Sequence, residues 1–179
     1  MLFRSIEVEL THRRVDLVSE RFDLALRLDV PDDSSLVGKR LGSFPLAAMA
    51  SPTYLARHAA PRRPAGLSGH AFLGLAAKAY RNQLRFSNGS RRETVRVEPR
   101  CFSNSFQVLR ELALSGTGIT LLPRPFVEED IARGDLVRLL GGWLVPGPPL
   151  HLVYPRRRLL PASTRVVAAR LALGPWLAW

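Results

Sequence analysis

The pattern of apolar and polar positions is clearest over residues 102–123, where it predicts a helix followed by a short strand. One apolar face of the helix is formed, at helical spacing, by Phe106, Leu109, Leu112 and Ala113. Glycines at positions 116 and 118 are expected to end the helix and let the chain turn back. The apolar run 119–122 is closed by Pro123 and is typical of a buried parallel strand.

Polar residues come just before this helix. Asn104 is predicted to cap it, and Gln107 follows three residues later, in the position of a capping box. Ser103 precedes Asn104, and the free N–H groups at a helix N-terminus can hold an anion. The start of the helix is therefore a candidate binding position.

The rest of the chain alternates short strands with short helices. Strands are predicted at residues 6–10, 24–28, 36–41, 46–50, 71–75, 82–86, 94–97, 136–140 and 150–154, and helices at 13–21, 125–133 and 163–173. The first strand alternates apolar and charged residues, which favours an edge position. Ser51 is predicted to be the N-cap, and Pro52 the first residue, of a further helix that ends near His58.

Length and composition favour one ordinary domain or two small lobes with a sizeable core. The chain has 179 residues, of which 46% are hydrophobic and 23% are charged. Its net charge of +11 is carried almost entirely by arginine. This balance favours acidic partners such as nucleic acid or anionic metabolites. The scattered arginines are equally compatible with an ordinary solvated surface.

Several classes of chemistry have no support in the sequence. Cys101 is the only cysteine, so neither an intramolecular disulfide nor a cysteine-based metal site is expected. The four histidines are dispersed, and no glycine-rich phosphate loop or Gly-x-Ser-x-Gly elbow is present. We therefore expect no enzyme, cofactor or metal. With no signal-peptide pattern and no apolar run of about 18 residues, we expect a cytoplasmic protein without membrane contact.

A series of short motifs resembles one family in order and spacing. The motifs are Val15-Asp16-Leu17-Val18, Phe22-Asp23-Leu24-Ala25-Leu26-Arg27, Asp33-Ser34-Ser35-Leu36-Val37, Arg40-Leu41-Gly42, Ala50-Ser51-Pro52-Thr53-Tyr54-Leu55 and the connector residues Pro61, Pro64, Leu67 and His70. The run Gly-x-Gly-Ile-x-x-Leu-Pro at 116–123 and the pair Tyr154-Pro155 also match. Together they resemble the effector-binding domain of LysR-type transcriptional regulators, from Ile6 to about Leu173.

This resemblance implies an α/β fold of the periplasmic-binding-protein-like type II, with two Rossmann-like lobes joined by two crossing strands. Lobe I would comprise residues 1–73 and 150–179, and lobe II residues 74–149. A small-molecule effector, expected to be a metabolite, would bind in the cleft between the lobes. Binding would modulate transcription through the geometry of a homodimer or tetramer formed by lobe edges.

The same resemblance implies a set of effector-binding residues: Asp29, Ser51, Pro52, Phe102, Ser103 and Asn104. Ser51 and Asn104 would supply hydrogen bonds, although each is equally compatible with a role as a helix cap alone. Asp29 would repel a carboxylate ligand, which disfavours an anionic effector at that position.

The family pattern also suggests that this is an N-terminally truncated chain. No winged helix-turn-helix precedes Ile6, and lobe I lacks the family's first strand and helix. Contact with DNA would then occur only through a module missing here. The alternatives are a stand-alone small-molecule-binding module or a non-functional gene remnant. A nucleic-acid-binding protein in its own right is disfavoured, since no recognition helix or aromatic-basic platform is visible.

Overall fold

A computed structural model describes residues 5–11, 13, 15–28, 35–77, 80, 82–156 and 161–172. The strands in these ranges are β1 (Ala25–Arg27), β2 (Leu36–Ser43), β3 (Leu46–Ala50), β4 (Phe72–Leu75), β5 (Gln83–Asn88), β6 (Arg91–Arg96), β7 (Pro99–Ser103), β8 (Ile119–Pro123), β9 (Val137–Arg138) and β10 (Pro149–Pro155). The helices are α1 (Pro52–Leu55), α2 (Phe106–Leu114), α3 (Glu128–Arg133) and α4 (Ala162–Ala172). Two short 3₁₀ helices cover Pro64–Gly69 and Arg124–Phe126.

The chain divides into two compact units. The N/C unit comprises Met1–Phe44 and Pro148–Trp179, and the central unit comprises Pro45–Gly147. This division differs from the predicted lobes, which assigned residues 45–73 to lobe I. The physical reason is strand pairing: β3 and β4 both hydrogen-bond to β8, so they share one sheet with the middle of the chain.

A mixed five-stranded sheet in the order β7-β4-β8-β3-β9 forms the centre of the central unit. β4 runs parallel to β7 and β8, whereas β3 runs antiparallel to β8 and β9. All five residues of β3 and of β8 are buried, as continuous apolar strands in the middle of a sheet should be. The prediction of a parallel β8 is thus confirmed on its β4 side, and its other side is antiparallel.

The hairpin of β5 and β6 confirms the strands predicted at 82–86 and 94–97. The strands are antiparallel, and Asn88 lies opposite Arg91 in the register. Leu84 and Phe86, on one face of β5, are each only 1% exposed and join the core of the central unit. The side chains of Gln83 and Arg85 point the other way and are exposed, as period-2 alternation predicts.

A three-stranded antiparallel sheet in the order β1-β10-β2 forms the N/C unit. Its middle strand, β10, has apolar residues on both faces. Val153 packs with Leu17 on one face, and Leu152 packs near α4 on the other. Both residues are at most 1% exposed.

Two predicted elements were wrong, and a third was too long. Residues 6–10 form no strand, and Val8 and Leu10 are 84% and 91% exposed. Alternation specifies a strand's faces but supplies no neighbour, and no described strand pairs with this segment. The predicted helix at 13–21 is a turn in its described part, in which the Asp16 carboxylate accepts the N–H groups of Val18 and Ser19. The strand predicted at 136–140 shortens to β9, because Leu140 adopts a positive φ of 62°.

Candidate functional site

The carboxyl ends of the three parallel strands lie together at one edge of the central sheet. β4 ends at Leu75, β7 at Ser103 and β8 at Pro123, and Leu75 lies opposite Ser103 in the register. Parallel strands share a direction, so their carboxyl ends meet at one edge, where open α/β sheets bind ligands. Phe102, Ser103 and Asn104 lie here, immediately before α2. We call these three residues the β7 edge.

Ser103 is held in place by hydrogen bonds to both neighbouring segments. Its carbonyl oxygen accepts the N–H of Ala76 at 2.8 Å, which extends the pairing of β7 with β4. Its hydroxyl oxygen accepts the N–H of Ser105 at 3.1 Å. The hydroxyl proton remains available to a further acceptor, because a serine hydroxyl both donates and accepts.

The cap of α2 is Ser105, so the prediction that Asn104 caps this helix was wrong. The Ser105 side chain accepts the N–H of Val108 at 3.5 Å. Gln107 completes no capping box and instead donates to Glu111 Oε1 at 2.8 Å, one turn along the helix. Because a residue one position later takes the capping role, the exposed side chain of Asn104 is not used by the helix.

Phe102 lies against a glycine on the neighbouring strand. A Cβ atom on Gly74 would come within 3.1 Å of Phe102 Cδ1 and within 2.9 Å of Pro99 Cγ. Glycine is therefore required at position 74 for the ring to pack across β4, while 47% of Phe102 stays exposed. Sequence reasoning missed Gly74, although a lone glycine inside a strand pattern is a known signal of close approach.

Ser51 and Pro52 lie at the other end of α2. The Arg57 guanidinium on the α1 side donates to the carbonyl oxygen of Gly116 at 3.2 Å, just after the C-terminus of α2. The nine residues of α2 span about 13 Å at 1.5 Å per residue. The structure therefore separates Ser51 and Pro52 from the β7 edge. The reason is the reversed direction of β3, which delivers its carboxyl end to the opposite side of the sheet.

The predicted structural roles of Ser51 and Pro52 are confirmed. Ser51 is the N-cap of α1, its side chain accepts the N–H of Tyr54 at 3.4 Å, and Pro52 occupies the first turn. Ser51 is only 2% exposed. Asp29, the remaining predicted site residue, lies outside the described residues.

α1 is anchored by the buried hydroxyl of Tyr54. The hydroxyl oxygen accepts the N–H of Ala71 at 3.1 Å and lies 3.1 Å from His70 Nδ1. With His70 neutral, the hydroxyl proton is donated to that nitrogen. The Tyr54 ring also stacks on His58, with centroids 4.4 Å apart. One tyrosine thus joins the helix to the segment that leads into β4.

This arrangement predicts a loss of stability in mild acid. The pKa of His70 lies below its ordinary value of 6.5, first because the ring is partly buried and second because His58 adds like charge. The unfolded chain therefore binds the proton more tightly. The contribution of neutral His70 to the free energy of unfolding is fully present above the pKa of this group in the unfolded chain, about 6.5. It is lost as the pH falls from there through the lower pKa of the folded protein. The urea midpoint should decrease over this window, and His70→Gln should weaken the dependence. An unchanged pH profile in His70→Gln would contradict this assignment.

α2 is fixed on its outer side by a buried carboxylate on α3. Asp130 is 1% exposed and accepts two hydrogen bonds from Arg110, at 2.6 Å from Nε and 2.5 Å from Nη2. It also accepts one from Arg133 Nη2 at 2.6 Å. The hydrogen bond with Asp130, followed by its charge and that of Glu111, raises the pKa of Arg110 above its ordinary value, so the guanidinium stays charged. Sequence reasoning placed Asp130 only within the helix predicted at 125–133.

Two features of the described residues bear on other classes of site. No group of three or more metal-binding side chains is found among them. Within the same residues, every helix is too short or too polar to cross a membrane.

A mixed sheet, an antiparallel sheet and short helices in two units place this chain in the α/β class with a type II periplasmic-binding-protein-like fold. The family comparison is more specific. The family model described as the LysR substrate binding domain matches residues 4–173, which is nearly the whole chain. The chain belongs to this family.

Relatives of the chain are transcriptional regulators. An uncharacterized HTH-type transcriptional regulator of Haemophilus influenzae is 35% identical over 158 residues, which cover 87% of this chain and 54% of that protein. The HTH-type transcriptional regulator PtxR of Pseudomonas aeruginosa is 35% identical over 150 residues, covering 84% and 48%. The structure of CrgA, a LysR-type transcriptional regulator from Neisseria meningitidis, matches with a TM-score of 0.71 and 31% identity, covering 88% of this chain and 53% of CrgA. The chain thus spans about half the length of these relatives.

Proposed function

We propose that this chain is the effector-sensing part of a LysR-type transcriptional regulator, and that the β7 edge contacts the effector. The observation that carries the proposal is that two neighbouring residues have different roles at the start of α2. Ser105 caps the helix, and the exposed amide of Asn104 is left for a ligand. The membership of the chain in the LysR substrate-binding family supports a regulatory rather than an enzymatic role.

The side chains of the β7 edge define the kind of ligand it suits. Phe102 offers an apolar ring that is 47% exposed, and Asn104 offers both a donor and an acceptor. The first N–H groups of α2 have no acceptor within the helix, and Ser105 satisfies the one on Val108. The N–H groups of Phe106 and Gln107 therefore favour an electron-rich oxygen. The matching effector is a small molecule with one flat apolar part and one hydrogen-bonding oxygen group.

A matched pair of asparagine substitutions tests this proposal. Small metabolites of this description are screened by thermal shift against the 179-residue protein, and each hit is titrated by calorimetry. Asn104→Ala should weaken binding about fivefold, the equivalent of one hydrogen bond worth about 1 kcal/mol. Asn82→Ala changes the same residue type at an exposed position before β5 and should leave affinity unchanged.

The outcome that contradicts the β7 edge is equal affinity in both variants for every hit. A panel in which no compound binds would contradict effector sensing by this chain itself. Ser51 and Pro52 are not included in the proposed contact surface, because α2 separates them from Asn104. Binding in a cleft between lobes and control through oligomer geometry stay predictions, to be tested by sedimentation with and without a hit compound.

A further inference from the structure

The three-stranded sheet of the N/C unit carries a row of basic side chains across its strands. His151 of β10, the middle strand, lies opposite Arg27 of β1 and Arg40 of β2. Directly opposed residues in antiparallel strands point to the same face, with Cβ atoms about 5 Å apart. Two arginine side chains therefore leave the sheet on either side of one histidine side chain. We call these three residues the basic row.

The basic row lies on the covered face of the sheet. Val153, two residues after His151, is fully buried and packs with Leu17. Residues two apart in a strand point to the same face, so His151 continues this apolar surface. Arg27 reaches the same covering segment, since its Nη2 donates a hydrogen bond to the carbonyl oxygen of Val15.

His151 is enclosed but incompletely satisfied. It is only 7% exposed, and its Nδ1 has no hydrogen-bond partner among the residues that the structure describes. A buried polar nitrogen left unpaired costs about 1–3 kcal/mol. An apolar side chain would fill this position at no such cost. A further hydrogen-bonding group at Nδ1 would remove this cost.

Arg27 and Arg40 also differ from Arg110 in their described contacts. Within the described ranges, no carboxylate lies at salt-bridge distance from Arg27 or Arg40. Arg40 is exposed, so its guanidinium is accessible from solvent. Elsewhere in the same chain arginines do find carboxylates, as Arg110 finds Asp130. A small anion would pair with Arg27 and Arg40 as the Asp130 carboxylate pairs with Arg110.

We propose that the basic row binds a small oxyanion, a carboxylate or a phosphate group. Guanidinium groups present parallel N–H donors that match two oxygens of such a group. His151 donates from Nδ1 to the same anion, which gives the buried nitrogen its partner. Because the ring is almost enclosed, the site admits a single anionic group rather than a bulky molecule. The β7 edge takes no part in this site, so either proposal can fail without the other.

The test uses inorganic phosphate and acetate as probes of the 179-residue protein. Each is titrated at constant ionic strength, balanced with sodium chloride, while the histidine ring nitrogens are followed by NMR. We expect a saturable shift of the His151 resonances. Arg40→Gln should raise the dissociation constant about tenfold, as expected for the loss of a charge-assisted hydrogen-bonding pair. Saturation by phosphate alone would identify a phosphate site, and saturation by both probes a general oxyanion site.

Lys39→Gln is the matched control. Lys39 precedes Arg40 on β2 and is also exposed, so the substitution removes the same charge from the same strand. Its side chain points to the opposite face of the sheet, away from the basic row. It should leave the titration unchanged. Equal weakening by Lys39→Gln and Arg40→Gln would show that the anions respond only to net charge and would overturn the proposal. A shift of His151 that never saturates, or no shift, would also overturn it.

Discussion

Gly118→Ala is expected to destabilise the central unit by about 3 kcal/mol, the upper end of what overpacking costs. A Cβ atom at this position would lie 2.3 Å from the carbonyl oxygen of Ala71. That oxygen cannot move away freely, because it accepts the N–H of Ile119 at 2.8 Å where β8 begins. The contact is with backbone, so no side-chain rotation can relieve it. Either β8 or the entry to β4 has to shift.

Urea unfolding followed by circular dichroism measures this effect, and Gly69→Ala is the control. Gly69 also lies near β4, but a Cβ atom there would meet nothing within 4 Å. The two variants make the same chemical change, so they differ only in the space available. If both unfold at the same urea concentration, then the close approach at Gly118 does not constrain the fold.

Asp130→Ala is expected to cost about 3 kcal/mol or more, because breaking a buried ion pair leaves the partner charge uncompensated. The Asp130 side chain is 2% exposed, and that of Arg110 is 21% exposed. Without the carboxylate, the guanidinium of Arg110 keeps only Glu111, which it contacts at 2.7 Å. Arg133 loses less, since its exposed side chain also binds Asp135 at 2.9 Å. The substitution therefore mainly weakens the contact between α2 and α3.

Glu129→Ala is the comparison for this prediction. Glu129 precedes Asp130 on α3 and carries the same charge, but its side chain is 93% exposed and lies 3.6 Å from Arg133. Exposed pairs of this kind contribute at most about 1 kcal/mol. Unfolding of the two variants under identical conditions separates burial from charge. Similar losses in both would mean that the buried carboxylate does not hold the helices together.

The sequence predicted most regular elements of the central unit, because their signals are local, but it missed β7. The apolar face of α2, the buried run of β8 and the N-cap at Ser51 each depend on residues within one or two turns. The family was accessible for the same reason, since its motifs are short and occur in order. Residues 6–10 show the limit of such reasoning. Their alternation describes a strand that has no described neighbour to pair with.

The candidate site could be predicted only in part, because it depends on strand direction. Ser51 and Asn104 both precede helices, and the pattern alone treats the two helix starts alike. The antiparallel pairing of β3 with β8 sends one of them to the far edge of the sheet. The buried role of Asp130 and the unpaired Nδ1 of His151 arise from packing between distant segments. Neither feature leaves a local signal in the sequence.

The order of strands in the N/C unit has a consequence for how the protein is made. β1 and β2 are separated in the sheet by β10, and each pairs with β10 rather than with the other. During translation, β1 and β2 therefore have no partner in this sheet until β10 (Pro149–Pro155) has left the ribosome. The central unit, Pro45–Gly147, is complete before that moment and can fold first. Although β1 and β2 precede the central unit in the chain, they are thus among the last strands to become ordered.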